Sequence, residues 1–350
     1  MNGPTPRDAG FRMPAEWEPQ QAVWLSWPHN PETWAAHGIA DVRRVYVETI
    51  RALGPQQHIN LLVNDDESER AARDTMIDGG VDFTPVTFLQ IPTRDTWIRD
   101  YGPTFVVNRS SRAVAMVKWE FNAWGGKYED LEADTRVPFA MNRGLGMQIF
   151  EAGIVLEGGS IEVNGRGTVL TTTQCLLNPN RNPHLSREQV EQYLRDYLDV
   201  SQVIWLGDGI AGDDTDGHVD DIARFVDPTT VVCVVEEDPD DENYEPLREN
   251  HERLERAVDQ DGRPLRVLTL PTPGPISDAT GRLPASYANF YIGNAAVVVP
   301  IFGVQADDQA LGVLRECFPG RHVVGVDSRH MVAGLGAIHC CSQQQPKGEN

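Results

Sequence analysis

The chain has 350 residues, 40% of them hydrophobic and 23% charged, the make-up of an ordinary enzyme-sized globular protein. Its 52 acidic and 30 basic residues leave a formal net charge of −22, which argues against nucleic acid or an anionic membrane as partner and suits a small cation. No apolar run reaches about 18 residues, the N-terminus has no signal-like apolar segment, and five scattered cysteines read as reduced thiols, so a cytoplasmic location is expected.

In chain order, short runs rich in Val, Ile and aromatics alternate with amphipathic stretches. Strands are expected at 22–27, 58–63, 86–91, 104–107, 113–121, 168–172, 203–206, 231–235 and 295–301. Helices are expected at 41–53, 66–77, 187–198, 244–258 and 307–317; the third opens with Ser186 and Gln189 at the spacing of a capping box. Pro/Gly clusters such as 271–275 read as surface loops, and nothing marks a linker, so residues 1–350 are expected to form one catalytic domain. The last residues, 343–350, look disorderly.

Five segments share a plan in which a polar or acidic residue and a glycine precede an apolar strand. They are RDYGPTFVV, LEGGSIEV, TDGHVDDIARFV, YIGNAAVVVP and GLGAIHC, with glycines 102, 158, 217, 293 and 336 spaced 56, 59, 76 and 43 apart. Such a ladder predicts a repeated strand–helix unit closed into a ring, each unit presenting a polar group at a central mouth.

The chemistry gathers in the same segments. Cys340 and Cys341 follow a glycine turn near the C-terminus, a context suited to a nucleophile once a base is found elsewhere. His218 sits among carboxylates. In an extended strand His218 and Asp220 would share a face, with Val219 and Asp221 turned away. Hydrolysing a guanidinium needs two carboxylates to hold the planar cation, a thiolate to attack its carbon, and an acid/base to move protons. Asp100 and Asp220 suit the first task. Glu157, ahead of two glycines, suits an orienting bond to His218. Each has a plainer reading alone: Asp100 as partner of Arg99, His218 as a surface residue, Glu157 as a turn residue. His339 is assigned a structural role, because strand neighbours face opposite sides, and Cys175, Cys233 and Cys317 are assigned to packing. In a strand only one of Cys340 and Cys341 can face the pocket.

The blocks MPAEWEPQQAVWLSWPHNPETW, TWIRDYGPTFVV, FNAWGG, LEGGSIEVNGRGTVLTTTQCLLNPNRNPHLS, TDGHVDDIARFV, LPASYANFYIGNAAVVVP and GAIHCCSQQQP, spanning about Phe11 to Pro346, resemble the agmatine deiminases. The resemblance implies an α/β fold, the five-bladed α/β-propeller (pentein) with pseudo-five-fold ββαβ repeats. It also implies hydrolysis of agmatine to N-carbamoylputrescine and ammonia, in putrescine and polyamine biosynthesis, with no cofactor and no metal. Matched motif by motif, it assigns Cys340 as nucleophile, His218 as acid/base, Glu157 as the EGG glutamate, and Asp100 and Asp220 as the guanidinium clamp. Trp97 and residues 122–126 are expected to wall the aliphatic part of the substrate. The partner implied is a cationic guanidino compound, and a homo-oligomer is compatible with it. The family's GGGNIHC becomes GLGAIHC here, so Leu335 and Ala337 stand where a glycine and an amide are usual.

Other readings share parts of this pattern. Peptidyl-arginine and free-arginine deiminases use the same chemistry on a larger substrate, and an amidinotransferase differs only in what attacks the intermediate. A non-catalytic propeller would leave these residues without a task. A metal hydrolase would draw on Asp213, Asp214, Asp216, His218 and Asp220, but that run lacks a calcium loop's ligand spacing and terminal Glu.

Overall fold

The computed structural model describes residues 3–35 and 37–348. Five small sheets repeat one pattern, in which two antiparallel strands are followed, after a helical crossover, by a third strand parallel to the second. The first blade pairs Thr104–Asn108 with Val114–Glu120 antiparallel and Val114–Glu120 with Gln148–Val155 in parallel. The second uses Glu162–Val163, Thr168–Thr172 and Gln202–Leu206, and the third Ala223–Phe225, Thr230–Val235 and Arg266–Pro271. The fourth uses Tyr291–Ile292, Ala296–Ile301 and His322–Asp327.

The fifth blade closes the ring with both ends of the chain. Its first strand is Ser342–Pro346, antiparallel to Gln20–Ser26, which in turn runs parallel to His58–Val63. The architecture is therefore a five-bladed α/β propeller. The tail expected to be disorderly is instead a buried strand through Pro346, and only positions 349 and 350 of it lie outside the described residues. Three successive glutamines misled the reading because polar side chains in a strand usually signal solvent. Here each has a buried partner: Gln343 donates to Pro103 O at 2.6 Å, Gln344 accepts from Arg99 at 2.7 Å, and Gln345 accepts from Trp24 at 2.9 Å.

The crossover helices follow from amphipathic spacing and caps. Arg187–Leu198 begins at Ser186, whose hydroxyl accepts from the Gln189 N–H while the Gln189 side chain returns to the Ser186 N–H. Val190, Leu194, Tyr197 and Leu198 form its buried face. Strands 148–155, 266–271 and 322–327 escaped the sequence reading. They lie at blade edges with only one side well buried, so their apolar alternation is diluted by exposed residues.

The glycine ladder holds for four of its five rungs. Gly102, Gly158, Gly217 and Gly336 each precede the first strand of a blade, but Gly293 falls after the first strand of the fourth, in its hairpin. The equivalent turn of that blade lies just ahead of Tyr291, at residues 286–289, where Ala288 N–H bonds back to the Ser286 hydroxyl. No helix among the described residues is long and apolar enough to cross a membrane.

Candidate active site

Each blade contributes the turn that leads into its first strand. Ile98–Tyr101 is a short helix, and Gly158–Ser160 and Val219–Asp221 are single 3₁₀ turns. Residues 338–341 form a turn closed by Ser342 N–H on His339 O at 3.0 Å. The expectation that His218 and Asp220 lie on an extended strand is therefore wrong. His218 caps the 3₁₀ turn, and Asp221, expected to point away, has a carboxylate oxygen within 4.8 Å of both Asp220 and the Cys340 thiol. Likewise Cys340 and Cys341 diverge because a turn, not a strand, carries them. Cys340 lines the cavity, whereas Cys341 is buried against Tyr46 and Thr96.

Gly159 is the point about which the acidic groups gather. A Cβ built there would lie 2.5 Å from His218 Nδ1, 2.9 Å from Asp100 Oδ1 and 3.2 Å from Asp220 Oδ2, so only glycine fits. Asp100 is buried and oriented by two donors, the Gly159 N–H at 3.0 Å and the Trp124 indole at 2.9 Å. Trp124 itself sits in a left-handed run, with φ of 50° at Ala123, 54° at Trp124, 89° at Gly125 and 78° at Gly126. Asn122 stabilises that run by accepting the Gly125 N–H at 2.9 Å. Arg99 does not pair with Asp100; its guanidinium reaches Gln344, Glu16 and the His339 carbonyl.

His218 is fully buried, with Nδ1 3.7 Å from Asp100 Oδ1, a charge contact too long for a hydrogen bond. Burial works to lower its pKa, but Asp100 foremost, with Cys175 and Glu157, raises it well above the usual histidine range, so the ring is held as the imidazolium. Burial, opposed by His218 and reinforced by Asp220 and Glu157, pushes Asp100 up to about 6. The expected bond from His218 to Glu157 is not formed. Glu157 Oε1 is taken by Arg181 at 2.6 Å, and Glu157 Oε2 and both His218 ring nitrogens lack hydrogen-bond partners. Cys175, assigned to packing, is buried beside them: its thiol, His218 and Glu157 lie within 4.8 Å of one another.

His339 is more than packing. Its Nδ1 lies 2.6 Å from Asp220 Oδ2 and its Nε2 2.9 Å from Glu16 Oε2. Glu16 also bonds Arg224, Arg99 and the Ile292 N–H, and burial notwithstanding, these cations hold its carboxyl well below the usual range. His339 does the same for Asp220, lowered against its burial. The two carboxylates are thus pushed in opposite directions, Asp220 lowered by a buried histidine and Asp100 raised chiefly by burial. Sequence reasoning missed Glu16 because its partners lie on four distant segments.

Burial, then Asp220, Asp221 and Asp100, raise the Cys340 thiol well above the usual cysteine range. Its Sγ lies 3.9 Å from Asp220 Oδ2 and accepts from Asn289 Nδ2 at 3.1 Å. An acidic pocket of this kind opposes a free thiolate and favours one paired with a bound cation.

The cavity above, of about 470 Å³, is lined by Trp97, Trp124, Leu335 and Cys340 together with six carboxylates: Glu32, Asp95, Asp100, Glu129, Asp130 and Asp214. No Lys, Arg or His is among its lining residues. Trp97 packs at 5.6 Å on Trp34, and a side chain at Gly336 would strike it. The Asp213–Asp216 run is spent locally. Asp213 accepts the Thr215, Gly217 and His218 N–H groups, and Asp214 and Asp216 pair with Lys127.

Comparison with known proteins fits this geometry. Residues 12–346 match the family model of the Porphyromonas-type peptidyl-arginine deiminases. The curated agmatine deiminase of Pseudomonas savastanoi pv. phaseolicola is 37% identical over 369 residues, covering 98% of this chain and 97% of its own. The chain belongs to the agmatine deiminase family. Among solved members, the agmatine deiminase of Enterococcus faecalis superposes with a TM-score of 0.91 at 37% identity over 99% of both chains. A cysteine-to-serine variant of the C. jejuni agmatine deiminase with substrate bound superposes at 0.87, with 32% identity over 97% of both.

Proposed function

We propose that this chain hydrolyses agmatine to N-carbamoylputrescine and ammonia, acting as one catalytic domain through a covalent intermediate on Cys340. The observation that carries the choice of agmatine is the cavity's charge. Six carboxylates and no cationic side chain line the way to Cys340, which favours a dication and repels the α-carboxylate that arginine would bring. The net charge of −22 supports a small cation over nucleic acid as partner. The readings of Cys340, His218, Asp100, Asp220, Glu157 and Trp97 below belong to this proposal.

The guanidinium lies between Asp100 and Asp220, with Trp97 and Trp124 against the aliphatic chain. Its positive charge offsets the carboxylates that hold the thiol protonated, and the thiol proton leaves to solvent. Cys340 Sγ then bonds to the guanidinium carbon. His218, present as imidazolium, gives its proton to one departing nitrogen, the C–N bond breaks, and ammonia leaves an S-alkylthiouronium. Neutral His218 takes a proton from water, whose oxygen bonds to the same carbon. The C–S bond breaks, the ureido product loses the remaining proton to solvent, and thiolate and imidazolium are restored. Glu157, fixed by Arg181, keeps a negative charge beside His218.

Ammonia release measured over agmatine, arginine and an arginyl peptide tests this. Agmatine is expected to be turned over far better than either rival, and comparable kcat/KM for arginine would overturn the agmatine assignment while sparing the deiminase chemistry.

A further inference from the structure

The blade turns deliver Asp100 from the first, Gly159 with Glu157 from the second, His218 and Asp220 from the third, and Cys340 from the fifth. The fourth blade's equivalent turn, residues 286–289, ends at Asn289, which is fully buried. All four hydrogen-bonding positions of its side-chain amide are used. Oδ1 accepts the His339 N–H at 2.9 Å and the Cys340 N–H at 3.3 Å. Nδ2 donates to Asp221 Oδ1 at 2.9 Å and to Cys340 Sγ at 3.1 Å. The two backbone N–H groups can only face an oxygen, which fixes which end of the amide meets the sulfur. The Asn289 carbonyl also accepts the His339 N–H at 3.1 Å, so backbone and side chain both grip the nucleophile's turn.

We propose that Asn289 is the fourth blade's catalytic residue, its amide N–H holding Cys340 Sγ as the thiolate while its carbonyl oxygen fixes the turn that carries the sulfur. A thiolate accepts a hydrogen bond better than a thiol does, so a fixed donor at Sγ favours the ionised form. That help matters here, because the carboxylates around Cys340 act the other way and Ala337 brings no side-chain amide to the nucleophile's loop. Asp221 has a corresponding task. By taking the other Nδ2 hydrogen it keeps the amide from rotating away from the sulfur.

The inference rests on the reading of Cys340 as nucleophile, and its test needs no substrate. Iodoacetamide alkylation, in which the sulfur–carbon bond forms as iodide leaves, is followed at Cys340 by peptide mass spectrometry across pH. The unsubstituted protein, Asn289→Ala and Asn289→Asp are compared. Asn289→Asp keeps an oxygen for the two backbone N–H groups but replaces the donor with a charged oxygen beside Asp221 and Cys340, so it preserves the turn if Asn289→Ala unfolds, while Asn289→Ala removes the donor without adding charge. Both variants are expected to shift the alkylation midpoint up by about one to two pH units. They are expected to lower kcat for agmatine about 10²–10³-fold, while agmatine affinity, read by calorimetry in a Cys340→Ala background, changes little. Midpoints unchanged from the unsubstituted protein would overturn the role of Asn289 and leave the nucleophile in place. Absence of alkylation at Cys340 in the unsubstituted protein at any pH would overturn the nucleophile reading, and this inference with it.

Discussion

At the scale of single residues, the two adjacent thiols give the sharpest contrast. Cys340 faces the cavity beside Asp220, while Cys341 is buried against Tyr46 and Thr96 and is not among the residues lining the cavity. Cys340→Ser is expected to abolish ammonia release and Cys341→Ser to retain most of it; substrate carbon trapped on Cys341 in a mass spectrum would reverse the assignment. If Asp100 holds the guanidinium as proposed, it is expected to set the acid side of the pH profile. Its carboxyl is pushed up to about 6 and must be ionised to hold a cation, so kcat/KM should fall as pH drops through that value. Asp220, held low by His339, stays charged through the same window. An acid limb centred near pH 4 would mean that Asp100 does not hold the substrate. Leu335, on the cavity wall, adopts φ 69° and ψ 25°, a conformation rare for a leucine and free for glycine. Leu335→Gly should therefore fold as well as the parent, while losing an apolar wall and raising KM several-fold at little cost in kcat.

At the scale of elements, the strand Ser342–Pro346 both closes the ring and ends the turn that carries Cys340. Its glutamines act as buried partners, and Gln344 satisfies one arm of Arg99. Gln344→Leu leaves that guanidinium N–H without its acceptor in a buried site, a loss of about 1–3 kcal/mol that a chemical-denaturation midpoint would register. The same substitution at a solvated strand would be close to neutral, so an unchanged midpoint would show that the strand's polar residues are not structural. Part of this was visible in the sequence. The central strands and all five long helices follow from apolar period and caps, since their burial is decided by neighbours within a few residues. Of the blade-edge strands, 86–91 and 203–206 were legible as apolar runs, whereas 148–155, 266–271 and 322–327 were not, because one exposed face blurs the alternation on which the reading depends.

At the scale of the whole molecule, Glu16 joins the N-terminal segment to four blades through Arg99, Arg224, His339 and the Ile292 N–H. Replacing it with leucine removes one charge from a buried network and leaves the others unpaired, which costs about 3–5 kcal/mol. Thermal unfolding should show a large drop, and loss of activity should track loss of fold. The overall negative charge should also act at range. If the acidic mouth gathers a dication, kcat/KM for agmatine will fall as ionic strength rises and the Debye length contracts from about 10 Å at 0.1 M salt to about 3 Å at 1 M. Salt independence would confine the effect of charge to direct contacts.

The residue types of the chemistry, four of the five rungs of the ladder and the family were legible in the chain, because motifs such as WIRD, EGG, GHVD and IHC are local and each sits at the head of a strand. What they do to one another was decided only by the ring. The third blade's 3₁₀ turn brings Asp221 toward Cys340, which strand alternation would have sent outward. Arg181 takes the oxygen of Glu157 that His218 was expected to use. His339 joins Asp220 to Glu16, 323 positions away in the chain, and Asn289 meets Cys340 across 51. Periodicity fixes which face of an element is buried, but a side chain's partner across a closed ring depends on how five separately formed turns converge.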